Sequence, residues 1–156
     1  MKWLDNIYLK SHIFINHQTQ TMEIKKVNLQ EKLSTFSEHW TPKIVGELNG
    51  QMVKLAKLKG DFVMHQHEQE DELFYVISGT LFIELKDKTL ELQPGEPAFA
   101  ERSSASAGRF VIIPRGVEHK PYAPEEVCIM LFEPTSTLNT GDAESELSIS
   151  HLDRIW

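Results

Sequence analysis

The sequence predicts an all-β protein, built as one barrel or sandwich domain with a short helix near its start. Three observations predict this class. Short runs of β-branched and aromatic residues recur along the chain, Gly and Pro separate these runs at close spacing, and a strong hairpin signal, Asn49-Gly50, joins two of them. Many short strands with turn residues between them are typical of antiparallel sandwiches and barrels. With 156 residues, the chain is long enough for one such domain and a short appendage.

The elements can be predicted in order along the chain. Asn28 with Glu31 three residues later fits a capped helix start, and we expect this helix to be short and to end near Ser37. The Asn49-Gly50 turn joins the first two strands. The predicted strands span residues 44–48, 51–58, 73–77, 80–85, 89–92, 110–113 and 127–132.

Composition divides the chain into a core domain and flanking parts. Residues 1–21 lack clean periodicity and are predicted to be an N-terminal appendage that can be disordered, and the domain is predicted to span residues 22–135. Within it, residues 97–109 are rich in Ala and Ser and are predicted to form an inserted, exposed loop. Residues 136–156 form a polar C-terminal tail whose apolar end is expected to pack back on the domain.

Charge and cysteine content narrow the classes of function. The net charge is -7, with 23 acidic against 16 basic residues, and no basic stripe interleaves with aromatic residues. Nucleic acids and anionic membranes are therefore not expected partners. The single cysteine, Cys128, requires no oxidising compartment, and the apolar clusters near the N-terminus are too broken for a signal peptide or a membrane span. We therefore expect a cytoplasmic protein.

Four residues form a candidate metal site. His65 and His67 are two apart, so on a strand they share one face with Cα atoms about 6.7 Å apart. Glu72 heads the next apolar run, and a turn at Pro114-Arg115-Gly116 can bring His119 alongside. Each residue alone is weak evidence for a metal site, since a His-x-His pair is an ordinary surface or hydrogen-bonded pair as often as it is a pair of metal ligands. Together they suit Mn, Fe, Ni, Co or Zn, with Mn and Fe preferred because no thiolate is present.

The spacing of these residues resembles the two motifs of the cupin superfamily. Gly60-x4-His65-x-His67-x4-Glu72-x6-Gly79 is similar to the first motif, and Gly108-x5-Pro114-x-Gly116-x2-His119 is similar to the second. The resemblance covers residues 53–132 and is greatest to small, single-domain, type-2 bacterial cupins, which are loosely mannose-6-phosphate-isomerase-like. It implies a double-stranded β-helix (a jelly-roll barrel) that holds one divalent transition metal through His65, His67, Glu72 and His119.

The resemblance has two local departures and one implication for assembly. The first motif usually has one more residue between its glycine and its first histidine, so the turn at Gly60 is expected to differ. The second motif often ends in Asn, where this chain has Ala123. Cupins commonly pair, so a homodimer is expected.

The resemblance also suggests where a small molecule would bind. Seven apolar residues are expected to face inward, as core or as pocket: Phe62, Met64, Phe74, Val76, Phe82, Ile112 and Met130. Of these, Phe74 and Met130 are candidate substrate contacts. Arg115 and Lys120 flank His119 and could attract a carboxylate or phosphate, although long cations in loops usually reach into water.

Three functional hypotheses follow. The first is a metalloenzyme that polarises a small oxygen-bearing substrate, as a dioxygenase, an isomerase or a decarboxylase. The second is a non-catalytic module that binds or senses a small molecule or a metal, because no separate general base or nucleophile can be identified. The third keeps the fold with vestigial histidines, and it ranks last because all four ligand positions are intact.

Overall fold

The computed structural model describes residues 24–94 and 110–156. The predictions for residues 1–21 and 97–109 concern segments outside these ranges. The described residues form one helix and seven strands: α1 Leu29–Leu33, β1 Lys43–Leu48, β2 Gln51–Asp61, β3 Glu72–Ser78, β4 Leu81–Glu84, β5 Thr89–Leu92, β6 Phe110–Ile113 and β7 Lys120–Pro134. The prediction of an all-β fold with a short N-terminal helix is confirmed. Within the described ranges, no helix is both long and apolar enough to cross a membrane.

The helix begins and the first hairpin turns where the sequence predicts. Asn28 caps α1, and its side-chain oxygen accepts a hydrogen bond from the Glu31 amide at 3.3 Å. Leu33 is the buried residue of α1 and packs with residues of β1 and β2 in a cluster outside the barrel. Between β1 and β2, Asn49 and Gly50 both have positive φ, at 51° and 77°. This is the conformation of a type I′ turn, which matches the twist of a hairpin.

The strands curl around β7, the long strand that belongs to both sides of the barrel. All strand pairs are antiparallel, in the order β1-β2-β7-β3-β6, with β4 pairing both β5 and β7. β7 pairs with β2 from Tyr122 to Pro134 and with β3 from Cys128 to Phe132, and its first residues, Lys120–Tyr122, also pair with β4. The sequence predicted only residues 127–132 of this strand. The earlier part was missed because Pro121 and Pro124 read as breakers, yet both lie within β7.

The barrel core consists of alternate residues from each strand. Its members are Ala56, Leu58, Phe74, Val76, Leu81, Ile83, Leu92, Ile113, Ala123, Val127, Ile129 and Leu131. Phe74 and Val76 face inward as predicted. The expectation was wrong for Ile112 and Met64, which are 53% and 40% exposed. It was also wrong for Phe82, because its neighbours Leu81 and Ile83 take the inward face.

The C-terminal segment lies against β1 and against the residues that precede β3. The Ile44 amide donates to Asp153 O at 2.8 Å, and the Ile155 amide donates to Ile44 O at 3.0 Å. Further back, the Asp142 amide donates to Gln66 O at 3.1 Å. The Gln66 amide in turn donates to the Asp142 carboxylate at 3.0 Å. The segment is therefore fixed against the backbone between His65 and His67.

Candidate metal centre

The fold brings together the four residues that the sequence selected. One potential ligand atom from each of His65, His67, Glu72 and His119 lies within 4.8 Å of the others. All four residues are buried, with exposures between 0% and 4%. Three imidazoles and a carboxylate are thus concentrated at one point of the barrel interior, where isolated polar groups are costly to bury.

Backbone hydrogen bonds set the positions of these side chains. His65 and His119 pair across an antiparallel bridge through amide–carbonyl bonds of 3.0 and 2.8 Å. Their rings consequently lie side by side, with centroids 4.2 Å apart. The Gly116 amide donates to His67 O at 2.7 Å, which joins the turn before His119 to the first pair. Glu72 begins β3 opposite Ile113 of β6, so its carboxylate faces the same interior.

Two of the histidines are oriented by their own backbone. His65 Nδ1 lies 3.0 Å from Val63 O, and His119 Nδ1 lies 2.9 Å from Val117 O. Since a carbonyl oxygen only accepts, Nδ1 carries the proton in both rings. The Nε2 atoms are therefore left with a free lone pair, as in metal sites where the other ring nitrogen is held by an outer partner.

The buried ring nitrogens fit a cation. His65 Nε2 and His67 Nε2 have no hydrogen-bond partner although both are buried. Glu72 Oε2 lies 3.2 Å from His119 Nε2 and 3.3 Å from His67 Nε2, so one carboxylate oxygen faces two imidazoles. Buried polar atoms are rarely left unsatisfied. A divalent ion among these atoms would satisfy them together, and the donor set suits a transition metal.

The electrostatics keep Glu72 and His65 in their ligating forms. Burial raises the pKa of Glu72, but the adjacent imidazoles of His119 and His67 outweigh burial and lower that pKa to about 2. Burial and the neighbouring His119 lower the pKa of His65 to about 4, so its ring is neutral near pH 7. Burial works against protonation of His67 too, but the Glu72 carboxylate prevails and raises its pKa. A metal would compete with a proton for His67, because only the neutral ring can act as a ligand.

A small cavity lies beside the cluster, inside the barrel. Its volume is about 30 Å³, which is room for one or two water molecules. The lining is mostly apolar, with a few polar groups: Trp40, Pro42, Ala56, Leu58, Phe62, His65, Glu72, Phe74, Pro121, Ile129, Leu131, Glu133 and Asn139. Trp40 stacks on Phe62, with ring centroids 4.7 Å apart, and closes one side of this cavity.

One of the four candidate substrate contacts lies at this cavity. Phe74 lines it and meets the His119 ring edge-on, with centroids 6.0 Å apart. Met130 instead packs with the helix-side cluster, because strand alternation places Ile129 and Leu131 inward and Met130 outward. Arg115 is 63% exposed at its side chain and pairs with Asp71. Lys120 binds the Asp61 carboxylate at 2.9 Å, so that partner neutralises its charge.

Two further polar residues near the site, Glu133 and Asn139, were not predicted from the sequence. Glu133 lines the cavity, and it forms a buried ion pair with Lys54 at 2.6 Å. Asn139, in the C-terminal segment, also lines the cavity and binds Leu147 O and the Ile149 amide. A signal for Lys54 was present, since strand alternation places it on the face of Ala56 and Leu58, which is the core face.

The chain is similar to known protein families and sequences. A family model described as a cupin domain matches residues 51–104, which include three of the four clustered residues and end before His119. The uncharacterized protein YdbB of Bacillus subtilis strain 168 is 32% identical over 92 residues. These residues are 59% of this chain and 65% of that relative, so the chain spans just under two thirds of its length.

Solved structures give the same picture for the fold. A cupin-2 domain containing protein from Shewanella frigidimarina NCIMB 400 is 42% identical, with a TM-score of 0.60, over 69% of this chain and 93% of that one. Hydroquinone 1,2-dioxygenase from Sphingomonas sp. TTNP3, crystallised with 4-nitrophenol, is 17% identical, with a TM-score of 0.58, over 73% of this chain and 33% of that one. At that identity, the second similarity concerns the fold alone.

Proposed function

Because this chain belongs to the cupin superfamily, as a small domain of the type-2 class, we propose that it works as a metal-dependent cupin. One divalent transition metal, Mn or Fe before Ni, Co or Zn, is held by His65, His67, Glu72 and His119. The protein acts there on a small oxygen-bearing molecule, as a dioxygenase or an isomerase. The observation that carries the proposal is the pair of buried, unpartnered Nε2 atoms that converge with Glu72.

Each part of the site has a defined task in this proposal. When bound, the metal supplies Lewis-acid polarisation of a ligand oxygen, because four protein ligands leave one or two coordination positions open. The carbonyls of Val63 and Val117 hold two of the rings in the ligating tautomer. Phe62 and Phe74 form an apolar wall beside the donors and exclude water from the reacting oxygen.

The small cavity gives a specific reason to keep a second candidate function. A volume of about 30 Å³ is far below the roughly 300–1,000 Å³ of typical small-molecule sites. A module that binds or senses a metal needs no larger space, whereas an enzyme has to widen the cavity when its substrate enters. Sensing without turnover is therefore the alternative function.

Turnover assays separate the two functions. The protein is loaded in turn with Mn²⁺ and, under anaerobic conditions, with Fe²⁺, and is then tested against hydroquinones, catechols and ketoses, with and without oxygen. An enzyme gives product that disappears on chelation and in His119→Ala, but persists in His151→Ala, a control at an exposed histidine. Metal binding without any product across the panel supports the sensing module.

Two further proposals concern assembly and location. A homodimer is proposed because cupins commonly form dimers. Light scattering that gives a monomer at high protein concentration would exclude it. A cytoplasmic location is proposed from the single cysteine, which requires no oxidising compartment. Cell fractionation tests that location.

A further inference from the structure

A second buried carboxyl group faces the cavity beside the candidate metal centre. Glu133 lies near the end of β7 and is 2% exposed. Glu133, Ile129 and Leu131 are two residues apart on β7 and share one face of the strand. Because Ile129 and Leu131 belong to the core, Glu133 also points into the barrel. It does not belong to the four residues whose ligand atoms lie within 4.8 Å of one another. Its carboxyl group is therefore a neighbour of that cluster on a common cavity.

The two oxygens of this carboxyl group have different surroundings. Oε1 accepts a hydrogen bond of 2.6 Å from Lys54 Nζ, and the two side chains are only 2% and 1% exposed. Oε2 is buried and has no hydrogen-bond partner. Glu133 lines the cavity, and its carboxyl group is held by one oxygen while the other has no partner. Such a group is placed to act on whatever the cavity holds.

We propose that Glu133 is the acid/base residue of this site, and that its Oε2 exchanges a proton with a molecule held in the cavity. Lys54 is a positioning residue, which fixes the carboxyl group through Oε1. The inference rests on the proposed function and deepens it, because a proton-transfer group beside a Lewis acid favours isomerisation over oxidation. The substrate class is a small α-hydroxy carbonyl compound.

The proton balance of such a step is complete without any oxidant. Glu133, as the carboxylate, takes the proton from the carbon next to the polarised carbonyl and becomes the carboxylic acid. The electron pair of the broken C–H bond stays on the substrate, as the enediolate. The hydroxyl proton of the enediolate moves to its other oxygen. Return of the carbon-bound proton from Glu133 to the neighbouring carbon then gives the isomer and regenerates the carboxylate.

The surroundings of Glu133 suit this role. In the metal-free protein, burial, followed by the negative charge of Glu72, raises the pKa of Glu133 to about 8, against the lowering effects of Lys54 and His67. An acid/base group is most effective when its pKa is near the working pH. Lys54 also lines a second, polar cavity of about 290 Å³, whose wall includes the exposed residues Ser136 and His151. Glu133 lines the inner cavity and Lys54 the second one, so the pair lies between the two cavities.

Infrared spectroscopy tests the proton on Glu133 without a substrate. Difference spectra of wild type and Glu133→Gln at neutral pH should show the carbonyl stretch of a protonated carboxyl group, present only in wild type. Glu125→Gln, on the same strand with a side chain 91% exposed, should retain that band. Lys54→Met should move its pH midpoint upward, because it removes the cation that favours the carboxylate. Absence of the band, or its retention in Glu133→Gln, would overturn the assignment.

An exchange assay tests the transfer itself. Mn²⁺-loaded protein is mixed with hydroxyacetone in D₂O, and deuterium at the carbon next to the carbonyl is followed by NMR. Wild type and Glu125→Gln should exchange roughly 10²-fold or more faster than Glu133→Gln, at equal metal content. Equal rates, or no exchange by metal-loaded wild type, would overturn the inference and leave the metal site standing. Failure of every variant to bind Mn²⁺ would instead count against the proposed function, and the infrared result would still decide the state of Glu133.

Discussion

Gly141→Ala tests whether the C-terminal segment supports the metal centre. Gly141 has a φ of 51°, and a Cβ atom there would lie 2.1 Å from Gln66 O and 3.2 Å from His65 Cδ2. Gln66 O is a backbone atom between two candidate ligands, so the clash cannot be relieved by rotating a side chain. The alanine must push either the C-terminal segment outward or the His65–His67 backbone inward.

The magnitude can be worked out against a matched control. Gly50 has a φ of 77°, and a Cβ atom there would have no neighbour within 4 Å, so Gly50→Ala carries only the left-handed backbone cost, about 1–2 kcal/mol. Gly141→Ala carries that cost and an overpacking cost of about 1–3 kcal/mol. We therefore expect Gly141→Ala to lower the free energy of unfolding by about 2–5 kcal/mol. Metal affinity should also fall, roughly 10–100-fold, as when an outer support of a ligand is lost.

Urea unfolding and metal titration measure the two effects. Both variants should be less stable than wild type, with Gly141→Ala the less stable, and only Gly141→Ala should bind metal more weakly. If Gly141→Ala is as stable as Gly50→Ala and binds metal like wild type, the segment does not support the site and the reasoning fails.

Three further predictions concern the ionisable groups of the interior. Free metal at 100 times its dissociation constant should raise the unfolding free energy, measured by denaturation, by about 2.7 kcal/mol. An equal gain in His119→Ala would contradict metal binding by His119. In metal-free protein, the pKa of His65 is about 4 when folded against 6.5 unfolded, so the unfolded chain binds the proton first as pH falls. As the pH falls from 6.5 to 4, the free energy of unfolding of wild type should decrease by about 3 kcal/mol relative to that of His65→Gln. Parallel plots of unfolding free energy against pH for the two proteins would refute this. Glu133→Leu should destabilise by about 3–5 kcal/mol because it strands a buried ammonium, whereas Lys54→Met/Glu133→Leu should be close to wild type; a double variant as unstable as the single one would contradict the pairing.

Local signals made much of the fold predictable. The Asn28 cap, the Asn49-Gly50 turn and the strands Thr89–Leu92 and Phe110–Ile113 were located because each depends on neighbouring residues alone. The inward face was harder to assign wherever every residue of a strand is apolar. In Leu81-Phe82-Ile83, alternation has no polar position to mark the outer face, and only contacts with the rest of the barrel decide it.

The candidate site was predictable to the extent that its spacing is ordered along the chain. The His-x-His spacing, the order of the four residues and the bounding glycines identified the cluster from the sequence, although the three histidines lie outside the regular strands. Glu133 and Asn139 reach the cavity through pairings with distant segments, such as Lys54 with Glu133, which no local pattern encodes. The strand that carries Glu133 was also predicted too short, because its prolines suggested an interruption.

Elemental analysis of the purified protein tests the central claim most directly. Untagged wild type, His67→Ala and the control His151→Ala are expressed together in rich medium, and their transition metals are measured per chain. The account predicts about one metal ion per chain in wild type and in His151→Ala, and loss of that metal in His67→Ala. Equal metal contents in wild type and His67→Ala, or little metal in wild type even after addition of Mn, Fe, Ni, Co or Zn, would contradict it.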